Sequence, residues 1–277
     1  MIVEFFGVRG GIPAPGPKTA RVGGNTPCVK VTTKDGHIII LDAGTGIRPL
    51  GDQLILQSGD VDRIIATLFI SHTHWDHIQG FPFFGVLRQK KNRLLVFGEE
   101  RIGRRLEEVI AGQVSEPYLP FGYGELEADI LIKEARENDV VVVGENTRVT
   151  AKRGFHPGGV FMYRIEDDQH SIVYATDIGH PIGGYDYNVI ELANDCDLLI
   201  HDAQFSSHEK MLHPDWGHST WIEAALVGIE SSAKSLALFH HNAWADDEFL
   251  LNTVEKEAQA VNNLSFLACE GIKIDLG

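Results

Sequence analysis

The stretch that decides the fold is IIATLFISHTHWDH, residues 64–77, in which an apolar run passes directly into three histidines and an aspartate. The run IIATLFIS predicts a buried β-strand. His72 and His74 stand two positions apart, so an extended backbone points both side chains the same way and both can bind one ion. Asp76 and His77 follow the turn and can face a second ion. Buried polar groups cost free energy unless they are satisfied, so the cluster predicts a metal site.

Three more predicted strands lead into residues of the same two types. The strand TRVTAK is followed by a turn that carries His156, SIVYAT leads to Asp177, and SLALF leads to His240 and His241. A single histidine at a strand end can equally be solvated or hydrogen-bonded, whereas a carboxylate such as Asp177 can bridge two ions. Adjacent strand residues point to opposite sides, so His240 and His241 cannot both face the site. Imidazoles and carboxylates without thiolates suit zinc, manganese or iron in a catalytic site.

The composition describes a globular chain with an acidic balance. Hydrophobic residues make up 43% of the 277 positions, and 24 Lys and Arg stand against 39 Asp and Glu, a net charge of −15. Proteins that bind long nucleic acids usually carry a basic face, because phosphate neutralisation supplies much of their affinity. We therefore expect a small substrate held by metal ions and no long nucleic acid as partner, although the sequence leaves room for a local basic patch.

The N-terminus and the cysteines indicate a cytoplasmic protein. The opening MIVEFFGVRGG does not resemble a signal peptide, and no run of about 18 apolar residues could cross a membrane. Cys28, Cys196 and Cys269 are odd in number and far apart, which fits a reducing compartment. We expect no membrane partner.

The order of elements predicts one α/β domain over residues 1–277. Strands dominate, and helical patterns cover 47–57, 99–112, 219–233 and 246–261. Ser219 and Thr220 stand where an N-cap is expected. No linker or repeat divides the chain.

Taken in order, the motifs SHTHWDH, HPGG, YATD and LFHH resemble the metallo-β-lactamase superfamily over nearly the whole chain. The resemblance implies a metallo-β-lactamase-like αββα four-layer sandwich, with two mixed sheets face to face, helices outside and metals at one rim. LDAGTG resembles the early motif of the superfamily and implies that Asp42 supports the metal site from behind, unless it only caps a turn. The likeness of LFH to the LTH motif of ribonuclease Z favours His240 over His241. By position, the implied ligands of one metal are His72, His74 and His156, and those of the other are Asp76, His77 and His240, with Asp177 bridging.

Two further motifs resemble the branch that contains ribonuclease Z and phosphodiesterases. GHST at 217–220 and HDAQ at 201–204 are similar to its GHST-type and HEAT-type motifs. There, a histidine protonates the leaving alkoxide and an acidic residue aligns the histidine, so these catalytic roles fall to His218 and Asp202. Asp76 is counted as catalytic as well as a ligand. Aspartate in place of glutamate shortens the reach toward His218, which could otherwise be a neighbour of a helix cap.

The implied function is that of a dinuclear-metal phosphodiesterase, in which a metal-held hydroxide attacks phosphorus in line and a histidine acts as general acid. We expect two divalent ions, with zinc as first choice and manganese or iron as alternatives. The opening FFGVRGGIPAPG resembles bacterial and phage cyclic-nucleotide phosphodiesterases, so 3′,5′-cyclic nucleotides are the first-choice substrates. The RNA endonucleases of the branch carry an extra arm that grips transfer RNA, and no long basic insertion resembles it. The alternatives are ribonuclease Z-like RNA cleavage and a lactone or ester hydrolase on the same metals, and a homodimer is left open.

Two loop features have a functional and a structural interpretation of equal weight. The segments 81–88 and 115–123 carry aromatic residues that could stack a base or close the core: Phe83, Phe84, Tyr118 and Phe121. The loop 9–24 could touch phosphate through backbone N–H groups, or it could be plain turn chemistry.

Overall fold

Two seven-stranded mixed sheets pack face to face in the computed structural model, which describes residues 1–59, 63–101, 103–181 and 183–277. In the first sheet, four neighbouring strands pair antiparallel at one side and four pair parallel at the other, with one strand shared. In spatial order they are β14 (Lys273–Asp275), β1 (Ile2–Gly7), β2 (Cys28–Thr32), β3 (Ile38–Leu41), β4 (Ile65–Phe69), β5 (Arg93–Glu99) and β6 (Asp129–Ala135).

The second sheet repeats this division. Its later strands pair parallel and its earlier strands pair antiparallel. The carboxyl ends of parallel strands meet at one edge of a sheet, which is where open α/β sheets usually place their ligands. In spatial order the strands are β13 (Ser265–Leu267), β12 (Leu236–Phe239), β11 (Leu198–Asp202), β10 (Ser171–Ala175), β9 (Val160–Glu166), β8 (Thr147–Gly154) and β7 (Val140–Val143).

Helices cover the outer faces of both sheets. The apolar stripe of the helix Ile47–Ser58 packs against the outer face of the first sheet. The helix Trp221–Glu230 is capped by the Thr220 hydroxyl, which accepts a hydrogen bond from Glu223 N. The helical run over 247–261 lies beside the last strands of the second sheet and includes a π-helical turn. The helices are α1 (Ile47–Ser58), α2 (Trp75–Ile78), α3 (Leu106–Gln113), α4 (Tyr187–Leu192), α5 (Ser207–Leu212), α6 (Trp221–Glu230), α7 (Asp247–Phe249) and α8 (Glu255–Val261).

Aromatic side chains join the two sheets directly behind the rim. Phe69, at the end of β4, stacks on Phe97 with ring centroids 5.3 Å apart and contacts Tyr163 of the second sheet at 5.2 Å. The Tyr163 hydroxyl donates to Ile70 O at 2.6 Å. This contact fixes the end of β4 against the second sheet, so the residues that follow β4 start from a defined position.

A buried arginine ties the loop after β1 to the residues after β12. Arg9 is fully buried; its Nε donates to Gly23 O at 2.7 Å, and its Nη1 donates to Asn242 O at 3.1 Å and Ala245 O at 2.6 Å. Asp247 Oδ1 lies 3.7 Å from Nη2 and neutralises the guanidinium. The loop after β1 and the segment after β12 therefore pack together.

The predicted αββα sandwich is confirmed. One boundary is wrong: the helix expected over 99–112 begins at Leu106, because β5 continues to Glu99, which pairs with Ala135. Ile102, part of that helical pattern, lies outside the described residues. Among the described residues, no helix is long and apolar enough to cross a membrane. That residues 1–277 form a single domain stays a prediction.

Candidate metal centre

Three histidines and one aspartate gather at the rim as a first group, consisting of His72, His74, His156 and Asp177. Each offers one ligand atom, and these atoms lie within 4.8 Å of one another. His74 Nδ1 is 3.4 Å from His156 Nε2. Asp177 Oδ1 lies 3.8 Å from His72 Nε2 and 4.0 Å from His156 Nε2. The group thus draws on the ends of both sheets.

A second group adjoins it and consists of Asp76, His77 and His240. Asp76 Oδ2 lies 3.3 Å from His77 Nε2 and 3.1 Å from His240 Nε2. The other oxygen of Asp177, Oδ2, is 3.1 Å from His77 Nε2 and 3.3 Å from His240 Nε2. Asp177 therefore turns one carboxylate oxygen to each group, which is the arrangement that a bridging ligand requires.

Two buried nitrogens at this centre have no hydrogen-bond partner among the residues that the structure describes. They are His72 Nε2 and His77 Nε2, and both point at the Asp177 carboxylate. An unpaired buried polar atom costs on the order of 1–3 kcal/mol. A divalent cation between the imidazoles and the carboxylate would satisfy both nitrogens, so the donor set fits a metal with nitrogen and oxygen ligands.

The protonation of the two groups differs. Burial lowers the pKa of His72, His74 and His156, which favours the neutral imidazole that binds metals. Burial also acts to lower the pKa of His77, but Asp76, Asp177 and Asp42 outweigh it and raise that pKa well above the usual value. For His240 the surrounding carboxylates raise the pKa to about 10 against the effect of burial. The carboxylates therefore make the surroundings of the second group more negative than those of the first group.

Asp42 holds His77 from behind. Its Oδ2 accepts from His77 Nδ1 at 2.7 Å, from Ser71 Oγ at 2.7 Å and from Tyr174 OH at 2.8 Å. With Nδ1 held by the carboxylate, Nε2 of His77 is the nitrogen that faces the centre. Asp42 is thus placed where the resemblance implies a supporting residue.

The adjacent histidines after β12 point to opposite sides. His240 donates through Nδ1 to Gln204 Oε1 at 2.9 Å and turns Nε2 toward Asp76. His241 donates through Nε2 to Ala268 O at 2.9 Å, away from the centre. The structure aims His240 at the site. Sequence reasoning missed Gln204, the last residue of HDAQ, which orients His240.

His218 and Asp202 form a pair beside the two groups. His218 Nδ1 lies 2.8 Å from Asp202 Oδ2, so the shorter aspartate does reach the imidazole. Asp202 Oδ1 accepts from Ser219 N at 3.0 Å, which fixes the carboxylate. The His218 ring stacks on His240 with centroids 5.3 Å apart, and its Nδ1 is 4.0 Å from Asp177 Oδ1. With Nδ1 bound to Asp202, Nε2 is the nitrogen that can exchange a proton.

Glycines that the sequence analysis did not single out shape the centre. A Cβ on Gly10 would lie 2.5 Å from the His240 ring, and Gly11 N donates to Asp76 Oδ2 at 2.7 Å. Gly217 O accepts from His156 Nδ1 at 2.9 Å, and a Cβ there would lie 2.6 Å from the same nitrogen. The N–H group of loop 9–24 that reaches the centre thus contacts a carboxylate in this structure.

Three residues of the centre adopt the left-handed backbone conformation that favours glycine. Asp42, Asp177 and His240 have φ angles of 60°, 54° and 60°. Such conformations cost on the order of 1–3 kcal/mol each and persist only where the surrounding structure holds them. Here each turn bends the chain at a strand end so that the side chain points to the centre.

A cavity of about 430 Å³ opens beside the first group. Of the four aromatic residues that could either stack a base or close the core, only Tyr118 lines it. Phe84 is fully buried in the core, and Phe121 lies beneath the Arg88 guanidinium at 5.6 Å. Phe83 is half exposed away from this cavity.

The comparisons with known proteins identify the family of the chain. A family model described as beta-lactamase superfamily domain matches residues 37–241, about three quarters of the chain. The chain belongs to the metallo-β-lactamase superfamily. As a member, it is a metal-dependent hydrolase, and its relatives include "Ribonuclease Z" of Bacillus subtilis strain 168, 24% identical over 100% of this chain and 99% of the relative. One similar solved structure is the metallo-beta-lactamase fold protein YhfI of Bacillus subtilis, which has a TM-score of 0.73 and 19% sequence identity over 99% of this chain and 98% of that chain. Another is the short form of human tRNase Z, which has a TM-score of 0.69 and 22% sequence identity over 100% of both chains.

Proposed function

We propose that this hydrolase is a two-metal phosphodiesterase that cleaves RNA. The observation that carries the proposal is the position of Asp177 between two ligand groups, beside the His218–Asp202 pair. Two-metal sites with an adjacent proton donor suit the displacement of an alkoxide from phosphorus. Relatives named ribonuclease Z that match the whole chain conflict with the expectation of no long nucleic acid partner. They put RNA ahead of 3′,5′-cyclic nucleotides, the first choice from sequence.

The buried charge at the centre supports two ions. Four carboxylates are buried at the centre, and two divalent ions would carry the four positive charges that neutralise them: Asp42, Asp76, Asp177 and Asp202. Buried carboxylates without compensating charge are expensive. Zinc suits the nitrogen-rich ligand set, with manganese or iron as alternatives. One ion would be held by the first group, the other by the second, and Asp177 would contact both.

The residues of the chain divide the remaining work. When bound, the metal ions supply Lewis acidity and lower the pKa of bound water. His218 holds a proton at Nε2 for the departing oxygen, while Asp202 accepts from Nδ1 and stabilises the imidazolium. Gln204 and Asp42 keep the rings of His240 and His77 in the orientation that faces the centre.

Cyclic mononucleotides are the second candidate class of substrate. The net charge of −15 favours them, since a long polyanion is repelled on average while a small phosphodiester needs only the metal centre. No observation of the site favours a lactone or carboxylic ester. The cytoplasmic location and a homodimer stay predictions.

A direct comparison of substrates tests the proposal. Metal-loaded protein is incubated at physiological salt with a 3′-labelled hairpin RNA and, separately, with 3′,5′-cyclic AMP and cyclic GMP, and the products are separated by chromatography. We expect RNA cleavage that is lost in Asp177→Ala. Hydrolysis of the cyclic nucleotides with RNA left intact would put the second candidate first. Failure to hydrolyse any phosphodiester with two metals bound would refute both.

A further inference from the structure

We propose that Phe205 is a positioning residue, which holds the imidazole of His218 in the orientation from which it passes a proton to the leaving oxygen. The inference rests on the proposed function, because it concerns the general acid of that reaction. Phe205 follows the motif HDAQ directly and is only 3% exposed. Its ring lies edge to face with the His218 ring, with centroids 5.2 Å apart and an interplanar angle of 76°.

The hydrogen bond to Asp202 does not by itself fix the plane of the His218 ring. Within the described part of the chain, Asp202 Oδ2 is the one hydrogen-bond partner of this imidazole. The other oxygen, Oδ1, accepts from the backbone N–H groups of Gln204 and Ser219. A single bond at Nδ1 sets a distance but lets the ring rotate, since the χ2 torsion of histidine has only a broad preference. The direction of Nε2 therefore depends on what packs against the ring.

Three rings of the described residues pack on the His218 ring, and two of them belong to the metal centre. The ring centroids of His240 and His156 lie 5.3 Å and 5.5 Å from that of His218. The third ring is that of Phe205. Edge-to-face aromatic contacts are favourable and define the angle between two rings. A phenyl ring can neither accept nor donate a proton, so Phe205 restrains the imidazole without competing for Nε2.

The burial of Phe205 serves this site rather than the core. Among the described residues, Phe205 belongs to neither of the two apolar core clusters of the protein. Its other ring contacts are His213 at 6.2 Å and Trp216 at 6.3 Å, whose rings stack on each other with centroids 4.1 Å apart. Its backbone N–H donates to the carbonyl of Ser219, the residue after His218, at 3.1 Å. Phe205 is thus held on both sides by the segment that carries the proposed acid.

Two substrates with different leaving groups test the positioning role. Phe205→Leu removes the ring and keeps an apolar side chain, so kcat on the hairpin RNA, which expels an alkoxide, should fall by about 10- to 100-fold with KM unchanged. The rate on bis-p-nitrophenyl phosphate should change by less than about 2-fold, since its leaving group needs no proton. Phe84→Leu is the matched control, because it removes a fully buried ring that packs on Gly51 of α1, and it should keep both rates. Equal losses on the two substrates in Phe205→Leu would overturn the proposal.

A double-mutant cycle separates positioning from a general structural role. If Phe205 acts through His218, adding Phe205→Leu to His218→Ala should cause no further loss on the RNA. A role in stability or in metal binding would lower the rate by the same factor in both backgrounds, and that result would overturn the proposal. Elemental analysis should find the same metal content in the wild type, both single variants and the double variant. Loss of metal in Phe205→Leu would also overturn the proposal.

Nuclear magnetic resonance of zinc-loaded protein tests the position of His218 without any turnover. In protein labelled at histidine, the ring C–H resonance of His218 is the one that is absent from His218→Ala. We expect this resonance to split, or its order parameter to fall, in Phe205→Leu, because the freed ring takes more than one χ2 angle. A single resonance with the wild-type order parameter would refute the positioning role. If the wild type hydrolyses no diester, the proposed function fails, while this measurement still decides the role of Phe205.

Discussion

The two sheets deliver their metal-centre residues in different ways. The first sheet delivers four of them in one run of six residues directly after β4, whereas the second delivers them singly at the ends of separate strands. Those of the second sheet are His156 after β8, Asp177 after β10, Asp202 at the end of β11 and His240 after β12. A contiguous cluster needs only one strand and one turn to form, but the dispersed set exists only when four strands have the correct register. The first set is therefore brought together by neighbouring positions in the sequence, and the second set is brought together only by the fold.

The largest effect should come from the residue shared by both groups. Asp177→Ala should remove ligand atoms from both ions and abolish turnover, whereas Asp76→Ala should lose mainly one ion. Wild-type protein should contain about two ions per chain by elemental analysis. One ion in fully active protein would contradict the dinuclear centre. Equal metal loss in both variants would show that Asp177 does not bridge.

The adjacent histidines of the second sheet give the next contrast. His240→Ala should abolish turnover and lower the metal content, because its Nε2 faces the second group. His241→Ala should keep both metals and most activity but lower the free energy of unfolding by about 2–4 kcal/mol, through lost packing and the lost bond to Ala268 O. Metal analysis and urea unfolding measure the two effects. The reverse pattern would mean that the strand register is off by one.

His218 is expected to contribute to the reaction but not to metal binding. His218→Ala should lower the rate on diesters with alcohol leaving groups by about 10²–10⁴-fold and leave the metal content unchanged. The loss should shrink for p-nitrophenyl substrates, whose leaving group needs no proton. Equal losses on both substrate types would argue against a general acid.

The smallest effect probes the contact between the two sheets at Gly10. Gly10→Ala places a Cβ 2.5 Å from the His240 ring and should displace the ring, with a loss of up to about 100-fold in kcat/KM. Gly124→Ala, where nothing lies within 4 Å of the added Cβ, is the control and should behave as the wild type. If Gly10→Ala keeps wild-type kcat/KM and two tightly bound ions, the loop after β1 can shift to make room for the Cβ, and the prediction is wrong.

The cluster after β4 could be predicted because it lies in one short segment, and the αββα sandwich could be predicted through the resemblance that several short motifs carry. His240 was separated from His241 through the resemblance, and the opposite orientation of adjacent side chains explains why one of them had to turn away. The contacts of Gly10 and Gln204 could not be predicted, because a sequence shows that a glycine or an amide is present but not which ring packs on it. The start of α3 was misplaced because an apolar stripe does not show where a strand ends.

The choice between cyclic nucleotides and RNA could not be made from the sequence, for a different reason. Net charge averages over the whole chain, and it cannot show that Arg101 and Arg104 line the cavity beside the centre. Local electrostatics at a site therefore require coordinates, even where the ligand residues are recognised from sequence.

The buried guanidinium of Arg9 has a consequence for how the protein matures in the cell. It bonds to Asn242, 233 positions further along the chain, and the neighbouring Gly10 packs on His240. Such distant contacts form late and slowly. The four clustered residues after β4 are therefore made long before His240, the remaining member of the second group. The second group is thus complete only when the segment that follows β12 has packed against the loop after β1, which ties this part of the metal centre to the last long-range contact of the fold.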